Sequence, residues 1–125
     1  MKEKISRLSK IEIRIIHEKF ESVGVLNFRD APITCTAILE ILPLEGSTNM
    51  WMDGIYFEIP IDVGEENQSL SVEEGDIAYY PPMRAFCIFL CRSRPIDTVN
   101  LIGSVENPCL FKHVNEKDTI RLERI

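Results

Sequence analysis

Long apolar segments are missing from this sequence of 125 residues. No run approaches the ~20 residues that a membrane-spanning helix needs. The basic beginning, MKEKISRLSKIEIRII, has only a short apolar stretch, which Glu12 and Arg14 interrupt, and this argues against a secretory signal. We therefore expect a cytoplasmic protein with no membrane partner. Its length is ordinary for one domain with a core of its own.

An excess of positive charge is also absent. The formal net charge is −6 and the isoelectric point is about 4.9. Because an acidic protein repels polyanions on average, we expect no nucleic acid among the partners. The one local exception is the basic cluster Arg84, Arg92 and Arg94, which is more typical of a solvated rim beside a turn than of an anion site.

The spacing of metal ligands and of catalytic triads is missing as well. The relevant residues are Cys35, Cys87, Cys91, Cys109, His17 and His113. No CxxC pair occurs and the histidines are far from the cysteines in sequence, so we expect no metal and no cofactor. No signature surrounds a serine or cysteine, although a triad can assemble in space. Cys35, Cys87 and Cys91 lie in apolar segments, which predicts reduced core residues, with a disulfide as the alternative.

Many short segments of the sequence have strand character. Ile11 to Ile15 alternates strictly between apolar and polar residues, and Phe20 to Phe28 continues the pattern. AFCIFLC, from Ala85 to Cys91, is a continuous run rich in aromatic and branched residues, which predicts a strand buried on both faces. Further strands are predicted near Ile55–Ile59, Leu70–Val72, Asp76–Tyr80, Val99–Val105 and Thr119–Ile125. Closure into a barrel would remove their exposed edges.

Helix and turn signals are fewer. One amphipathic helix is predicted from Asp30 to Leu42. Asp30 is the expected capping residue, Pro32 is tolerated in a first turn, and Pro43 ends the helical pattern. A second short helix is predicted between Asn107 and Val114. The run GSTN, from Gly46 to Asn49, predicts a turn.

The strand IYFEIP carries a glutamate among apolar residues. Alternation places Ile55, Phe57 and Ile59 on one face and Tyr56 and Glu58 on the other. Glu58 then either lies on the wet face of a half-buried strand or accepts a hydrogen bond at the rim of a ligand groove.

The most unusual patch is Tyr79, Tyr80, Pro81 and Pro82. One interpretation is a strand end followed by a rigid turn. The other is the wall of an apolar pocket with tyrosine hydroxyls at its mouth. Trp51 either lines the same pocket from the opposite side or lies in the core.

Several motifs occur in a fixed order: Ile41-Leu42-Pro43, Trp51, Ile55 to Pro60, Gly75 to Pro82, and Ala85 to Phe89. In this order the sequence resembles a family of small prokaryotic cyclophilin-like proteins without assigned function. The resemblance covers the chain from 1 to 125 as a single domain. It implies a mainly β fold, a cyclophilin-like closed barrel of about eight strands with one or two short α-helices. AFCIF resembles the strand that supplies the aromatic floor of the cyclophilin proline pocket, which implies that Phe86 contacts a ligand.

The resemblance stops at the chemistry of prolyl isomerisation. Cyclophilins use an arginine on a Phe-His-Arg strand, whose guanidinium hydrogen-bonds the substrate. If IYFEIP matches that strand, Tyr56, Phe57 and Glu58 occupy those three positions, and an ionised carboxylate cannot donate a hydrogen bond. Arg84, beside the tyrosine–proline patch, is then the remaining candidate for the catalytic cation.

The sequence therefore predicts a binding module for an apolar small molecule or an extended, proline-containing peptide, in a groove beside AYYPP and AFCIF. The expected ligand contacts are Trp51, Tyr56, Glu58, Tyr79, Tyr80, Pro81, Pro82 and Phe86. One alternative is a divergent prolyl isomerase, which would require an arginine that reaches the groove. The other is an interaction protein that forms a homo-oligomer through the same apolar patch.

Overall fold

The computed structural model describes residues 9–125. The basic beginning of the chain, residues 1–8, on which part of the argument against a secretory signal depends, lies outside the described residues. Of the helices between residues 9 and 125, none has the length and apolarity needed to cross a bilayer.

Strands dominate the described chain. They are β1 (Lys10–His17), β2 (Phe20–Asn27), β3 (Leu44–Ser47), β4 (Asn49–Trp51), β5 (Gly54–Glu58), β6 (Gln68–Ser69), β7 (Asp76–Tyr80), β8 (Ala85–Phe89), β9 (Val99–Val105) and β10 (Thr119–Arg124). The helical elements are the α-helix α1 (Pro32–Ile41) and two 3₁₀ helices, Pro81–Met83 and Pro108–His113. Both α1 and the second 3₁₀ helix lie within the segments for which the sequence predicts helices.

The strands form one antiparallel sheet that curves into a nearly closed barrel. Its order is β3-β10-β1-β2-β9-β7-β8-β5-β4, with β6 beside β9. The two ends of this order, β3 and β4, are separated in sequence only by Thr48, so the chain itself joins the two edges at a single seam. The order contains nine strands, and β3 and β4 are consecutive parts of one stretch of chain, so the barrel has eight strand positions. The predicted mainly β barrel of about eight strands is therefore confirmed.

The barrel interior is filled by large apolar side chains that alternate with outward ones along each strand. On β5, Ile55 and Phe57 are buried in the interior, whereas Glu58 is exposed. The ring of Phe57 packs against that of Phe86 at a centroid distance of 5.4 Å. The alternation predicted for IYFEIP is therefore confirmed.

Strand β8 is buried on both of its faces, as its apolar sequence predicts. Phe86 and Ile88 belong to the interior cluster. Ala85, Cys87 and Phe89 belong to a second apolar cluster on the outer face of the barrel. The outward face of β8 is therefore apolar and buried. In a simple barrel this face of a strand would be exposed to water.

The start of α1 differs from its prediction. With Asp30 as its cap, the helix would begin at Ala31. It begins at Pro32 instead, and its N-cap is Ala31, which offers no side-chain acceptor. The carboxylate of Asp30 instead accepts a hydrogen bond from Asn27 Nδ2 at 2.8 Å. The prediction that Asp30 caps the helix is therefore wrong.

A distant glutamate takes the place of the local cap. Glu66 accepts hydrogen bonds from the backbone N–H groups of Ile33 at 3.0 Å and Thr34 at 2.8 Å, and from the Thr34 hydroxyl at 2.8 Å. The Glu66 N–H donates in turn to Asn100 Oδ1 on β9 at 3.0 Å. The Glu66 side chain thus satisfies the free donors of the first turn, and its backbone N–H fixes the loop before β6 to the sheet.

The turn predicted at Gly46 to Asn49 is wrong, because these residues end β3 and begin β4. Thr48 between the strands is buried, and its hydroxyl donates toward the carbonyl oxygens of Asn115 and Asp118 at 3.0 and 2.9 Å. Pairing of β3 with β10 and of β4 with β5 overrides the turn preference of Gly, Ser and Asn.

The strand predicted at Leu70–Val72 is displaced. The short strand β6 lies two residues earlier. The N–H of Ser71 donates to Ser69 Oγ at 3.1 Å, and this local bond turns the chain away from β9 immediately after β6.

All four cysteines are free thiols. Cys35 and Cys87 are buried, as predicted, and burial raises the pKa of each thiol to about 12. Cys91 is exposed, so the prediction that it is a core residue is wrong. The reason is that β8 ends at Phe89 and the chain leaves the sheet before it reaches Cys91.

Candidate ligand-binding groove

A groove crosses the outer face of the barrel above β8. Its floor consists of Ala85, Cys87 and Phe89 of β8, with Tyr56 of β5 and Val99 of β9 beside them. In the register of the sheet Tyr56 lies directly opposite Cys87. The cavity has a volume of about 400 Å³, which is the size of many small-molecule sites. We call it the outer groove.

The loop between β8 and β9, residues 90–98, forms one wall of the outer groove. Ser93 exchanges two backbone hydrogen bonds with Val72, at 3.1 and 3.0 Å. Farther along the loop, Asp97 accepts a hydrogen bond of 2.7 Å from the phenol of Tyr80 on β7. The loop is therefore held against the barrel on both sides of the residues that face the groove.

Aromatic rings line the outer groove. Trp51 and Tyr56 have ring centroids 4.8 Å apart and planes inclined at 54°, and Trp51 meets Phe89 edge to face at 5.5 Å. Tyr80 contributes a further ring. Ile96 stands at the mouth with 99% of its surface exposed. A bound apolar group would meet rigid aromatic surface on several sides.

Polar groups are confined to a few positions of the lining. Asp53 accepts a hydrogen bond from the Ser93 hydroxyl at 2.6 Å. The hydrogen bond from Tyr80 to Asp97 raises the pKa of the Tyr80 phenol above its ordinary value, so this phenol remains a neutral donor. Arg94 supplies the guanidinium of the lining.

The thiol of Cys87 belongs to the apolar floor. It is almost fully buried, and burial raises its pKa to about 12. Because the thiolate is the nucleophilic form of cysteine, Cys87 stays an unreactive thiol near neutral pH.

Comparison with known proteins gives the family but no activity. The family model described as "Cyclophilin-like" matches residues 10–123. The chain belongs to the cyclophilin-like family. The resemblance found in the sequence is therefore confirmed. One solved relative is a hypothetical protein from Archaeoglobus fulgidus, which is 34% identical over 94% of this chain and 96% of its own, with a TM-score of 0.80. No curated protein matches the sequence.

Three of the ligand contacts expected for this cyclophilin-like chain line the outer groove. They are Trp51, Tyr56 and Tyr80. Tyr79 and Phe86 are fully buried in the barrel interior, and the Tyr79 phenol donates to the carbonyl oxygen of Ile61 at 3.0 Å. Tyr79 and Phe86 therefore support the floor from behind.

The prolines and Glu58 lie beside the outer groove. Pro81 and Pro82 line a second concavity of about 530 Å³, which shares Ile96 and Asp97 with the outer groove. Glu58 is exposed and pairs across the sheet with Ala85, but it is not part of the lining. An extended ligand could cross from one concavity to the other over Ile96.

The candidate catalytic cation Arg84 does not line the outer groove. Its side chain is about half exposed and forms an ion pair of 3.6 Å with Asp62. Of the basic cluster, Arg92 pairs with the exposed Glu73 at 3.0 Å, as a solvated rim predicts, whereas Arg94 lines the groove.

Sequence reasoning missed the loop side of the groove. Alternation along AFCIF places Ala85, Cys87 and Phe89 on the same face of the strand, so the sequence itself indicated the floor of the groove. Asp53 and the residues of the β8–β9 loop had none. The position of the loop depends on the bonds of Ser93 to Val72 and Asp53, which join distant parts of the chain.

Proposed function

We propose that this cyclophilin-like chain is a ligand-binding domain, and that its outer groove holds an apolar small molecule or the apolar side chain of an extended peptide. One observation carries the proposal. The outward side chains Ala85, Cys87 and Phe89 form an apolar floor beneath a cavity of about 400 Å³. The outward face of a barrel strand would ordinarily carry polar residues.

The chemistry of the lining favours binding. Sites of this kind combine a mainly apolar lining with a few polar groups that orient the ligand. Asp53, Ser93 and Asp97 are such groups at the loop side. The thiol of Cys87 is kept protonated by burial and offers no covalent chemistry.

Trp51 provides a direct readout, because it is the sole tryptophan of the sequence and it lines the groove. Titration with benzyl alcohol, a neutral apolar probe, should change its emission in a saturable way. A peptide with an apolar residue beside proline should compete with the probe if the natural ligand is a peptide. A small-molecule site would leave the probe in place.

Two variants locate the binding. Ala85→Leu places a larger side chain on the floor and should weaken binding of the probe by about tenfold or more, since it removes volume from the cavity. Ile96→Ser changes only an exposed side chain at the mouth and should weaken it less. Met52→Ser is the matched control, because Met52 is 94% exposed and does not line the groove. An unchanged affinity in Ala85→Leu would reject the groove as the site.

A second candidate function is favoured by the position of Arg94. Prolyl isomerisation in this fold requires a guanidinium at the substrate, and Arg94 lines the outer groove. A guanidinium can donate hydrogen bonds to the substrate amide and weaken the resonance responsible for a barrier of ~18–20 kcal/mol.

An isomerisation assay on a proline-containing peptide tests this second function. The wild type should accelerate cis–trans exchange, Arg94→Ala should abolish the acceleration, and Arg84→Ala should retain it. A wild-type rate equal to the uncatalysed rate would exclude isomerisation of that peptide and leave the binding function standing.

A further inference from the structure

The charges that line the outer groove are unequal. Asp53 and Asp97 contribute two carboxylates and Arg94 contributes one guanidinium. Between residues 9 and 125, neither carboxylate has an ion-pair partner. By contrast, the exposed Glu73 is paired with Arg92 at 3.0 Å.

Neutral hydroxyl groups orient both carboxylates. The hydroxyl of Ser93 donates to Asp53 at 2.6 Å, and the phenol of Tyr80 donates to Asp97 at 2.7 Å. Such bonds fix the position of a carboxylate and leave its negative charge in place. The two anions are therefore held at the groove without being neutralised.

The aromatic rings favour the same sign of ligand charge. Trp51, Tyr56 and Tyr80 line the cavity together with the carboxylates, and the faces of Trp51 and Tyr56 are inclined at 54°. A cation within about 6 Å of such a ring is attracted by its quadrupole. An anion in the same place would be repelled by the rings and by both carboxylates.

Arg94 opposes this preference but does not reverse it. It is one positive charge against two negative ones, and the chain as a whole carries −6. The field of an acidic protein concentrates cations near its surface.

We propose that the ligand of the outer groove is an apolar cation, with a protonated amine or quaternary ammonium near Asp53 or Asp97 and an apolar body on the floor of β8. This inference rests on the proposed function and adds the charge of the ligand to it.

Three probes of similar size test the proposal through Trp51 emission: benzylammonium, benzyl alcohol and benzoate. The cation should bind at least about tenfold more tightly than the alcohol, which corresponds to ~1.4 kcal/mol, and benzoate should bind most weakly. The preference should shrink as salt is added, since part of it is electrostatic.

The double variant Asp53→Asn, Asp97→Asn keeps oxygen acceptors for Ser93 and Tyr80 and removes both charges. It should lower the affinity for benzylammonium about tenfold more than it lowers the affinity for benzyl alcohol, since only the cation loses an attraction between charges. Glu40→Gln, Glu106→Gln is the control, because it changes the net charge equally at two exposed residues outside the groove.

The outcomes distinguish the charge preference of the groove from its binding function. Equal affinities of the cation and the alcohol, or a preference for benzoate, would overturn the inference and leave the binding function intact. Failure of all three probes to change Trp51 emission or to bind in calorimetry would overturn the proposed function as well.

Discussion

The ring of Phe57 lies directly against Gly46 across the seam of the barrel. A Cβ atom added at position 46 would lie 2.2 Å from Phe57 Cδ2 and 2.6 Å from its Cγ. Phe57 is buried and packs against Phe86, so its ring has little room to withdraw. The absence of a side chain at Gly46 therefore allows β3 and β5 to meet where the sheet lacks a hydrogen-bonded ladder.

We predict that Gly46→Ala lowers the free energy of unfolding by about 1–3 kcal/mol, because it overpacks the seam. Urea unfolding followed by circular dichroism measures the change. Gly64→Ala is the matched control, since a Cβ at position 64 has no atom within 4 Å, and its effect should stay within about 0.5 kcal/mol. Similar losses in both variants would contradict this account of the seam.

The cap that Glu66 provides to α1 gives a second prediction. Glu66→Gln should destabilise the protein by about 1–2 kcal/mol, because an amide bonds the N–H groups of Ile33 and Thr34 less strongly than a carboxylate does and loses the charge that favours a helix N-terminus. Thermal unfolding measures the effect. Glu40→Gln, at an exposed position of the same helix, should be nearly neutral, and a wild-type melting temperature for Glu66→Gln would refute the role of the cap.

Ser22 leads to a prediction of the opposite sign. Its hydroxyl oxygen is buried and, within the described part of the chain, has no hydrogen-bond partner. Ser22→Ala should therefore leave stability unchanged or raise it by up to about 1 kcal/mol, since it removes an unsatisfied polar atom. The exposed Ser104→Ala serves as the control in the same unfolding experiment. A loss of more than about 1 kcal/mol in Ser22→Ala would show that the hydroxyl has a partner.

The loop before β10 predicts a dependence of stability on pH. The pKa of Asp118 is lowered from its ordinary value of 3.8 by the backbone N–H of Asn115 and then by the ring of His17, whose Nε2 lies 2.7 Å from its carboxylate. A carboxyl group with a lowered pKa stabilises the fold fully above its ordinary pKa, and this contribution is lost as the pH falls through the lowered value.

The stability difference between wild type and Asp118→Asn should therefore shrink as the pH falls below about pH 3.8. Urea midpoints between pH 7 and pH 2 measure it. A difference that persists undiminished at the acid end would show that the charge of Asp118 does not contribute.

Much of the fold follows from local pattern in the sequence. Strict alternation in β1 and the unbroken apolar run of β8 predict both strands, and the positions of Ile55 and Phe57 follow from a period of two. The cap of α1 could not be predicted in this way, because Glu66 and Thr34 are 32 residues apart. The strand at Gly46 was hidden for the same reason, since its partner is β10 at the far end of the chain.

In the candidate site, too, the sequence predicted the residues that follow a local pattern and missed those that depend on distant contacts. Trp51, Tyr56 and Tyr80 were expected from residue type and from the resemblance, and they line the outer groove. Tyr79 is adjacent to Tyr80, and alternation alone sends it to the opposite face. The contribution of Asp97 depends on a loop bond to Tyr80 that no short-range pattern encodes.

The most direct test of the central claim is the map of amide chemical shifts when ¹⁵N-labelled protein is titrated with benzyl alcohol. The account predicts that the largest shifts occur at Tyr56, Cys87 and Val99, on the floor of the outer groove. Largest shifts at Asn67 and Ser104, which line a separate concavity of about 260 Å³, or the absence of saturable shifts, would contradict it.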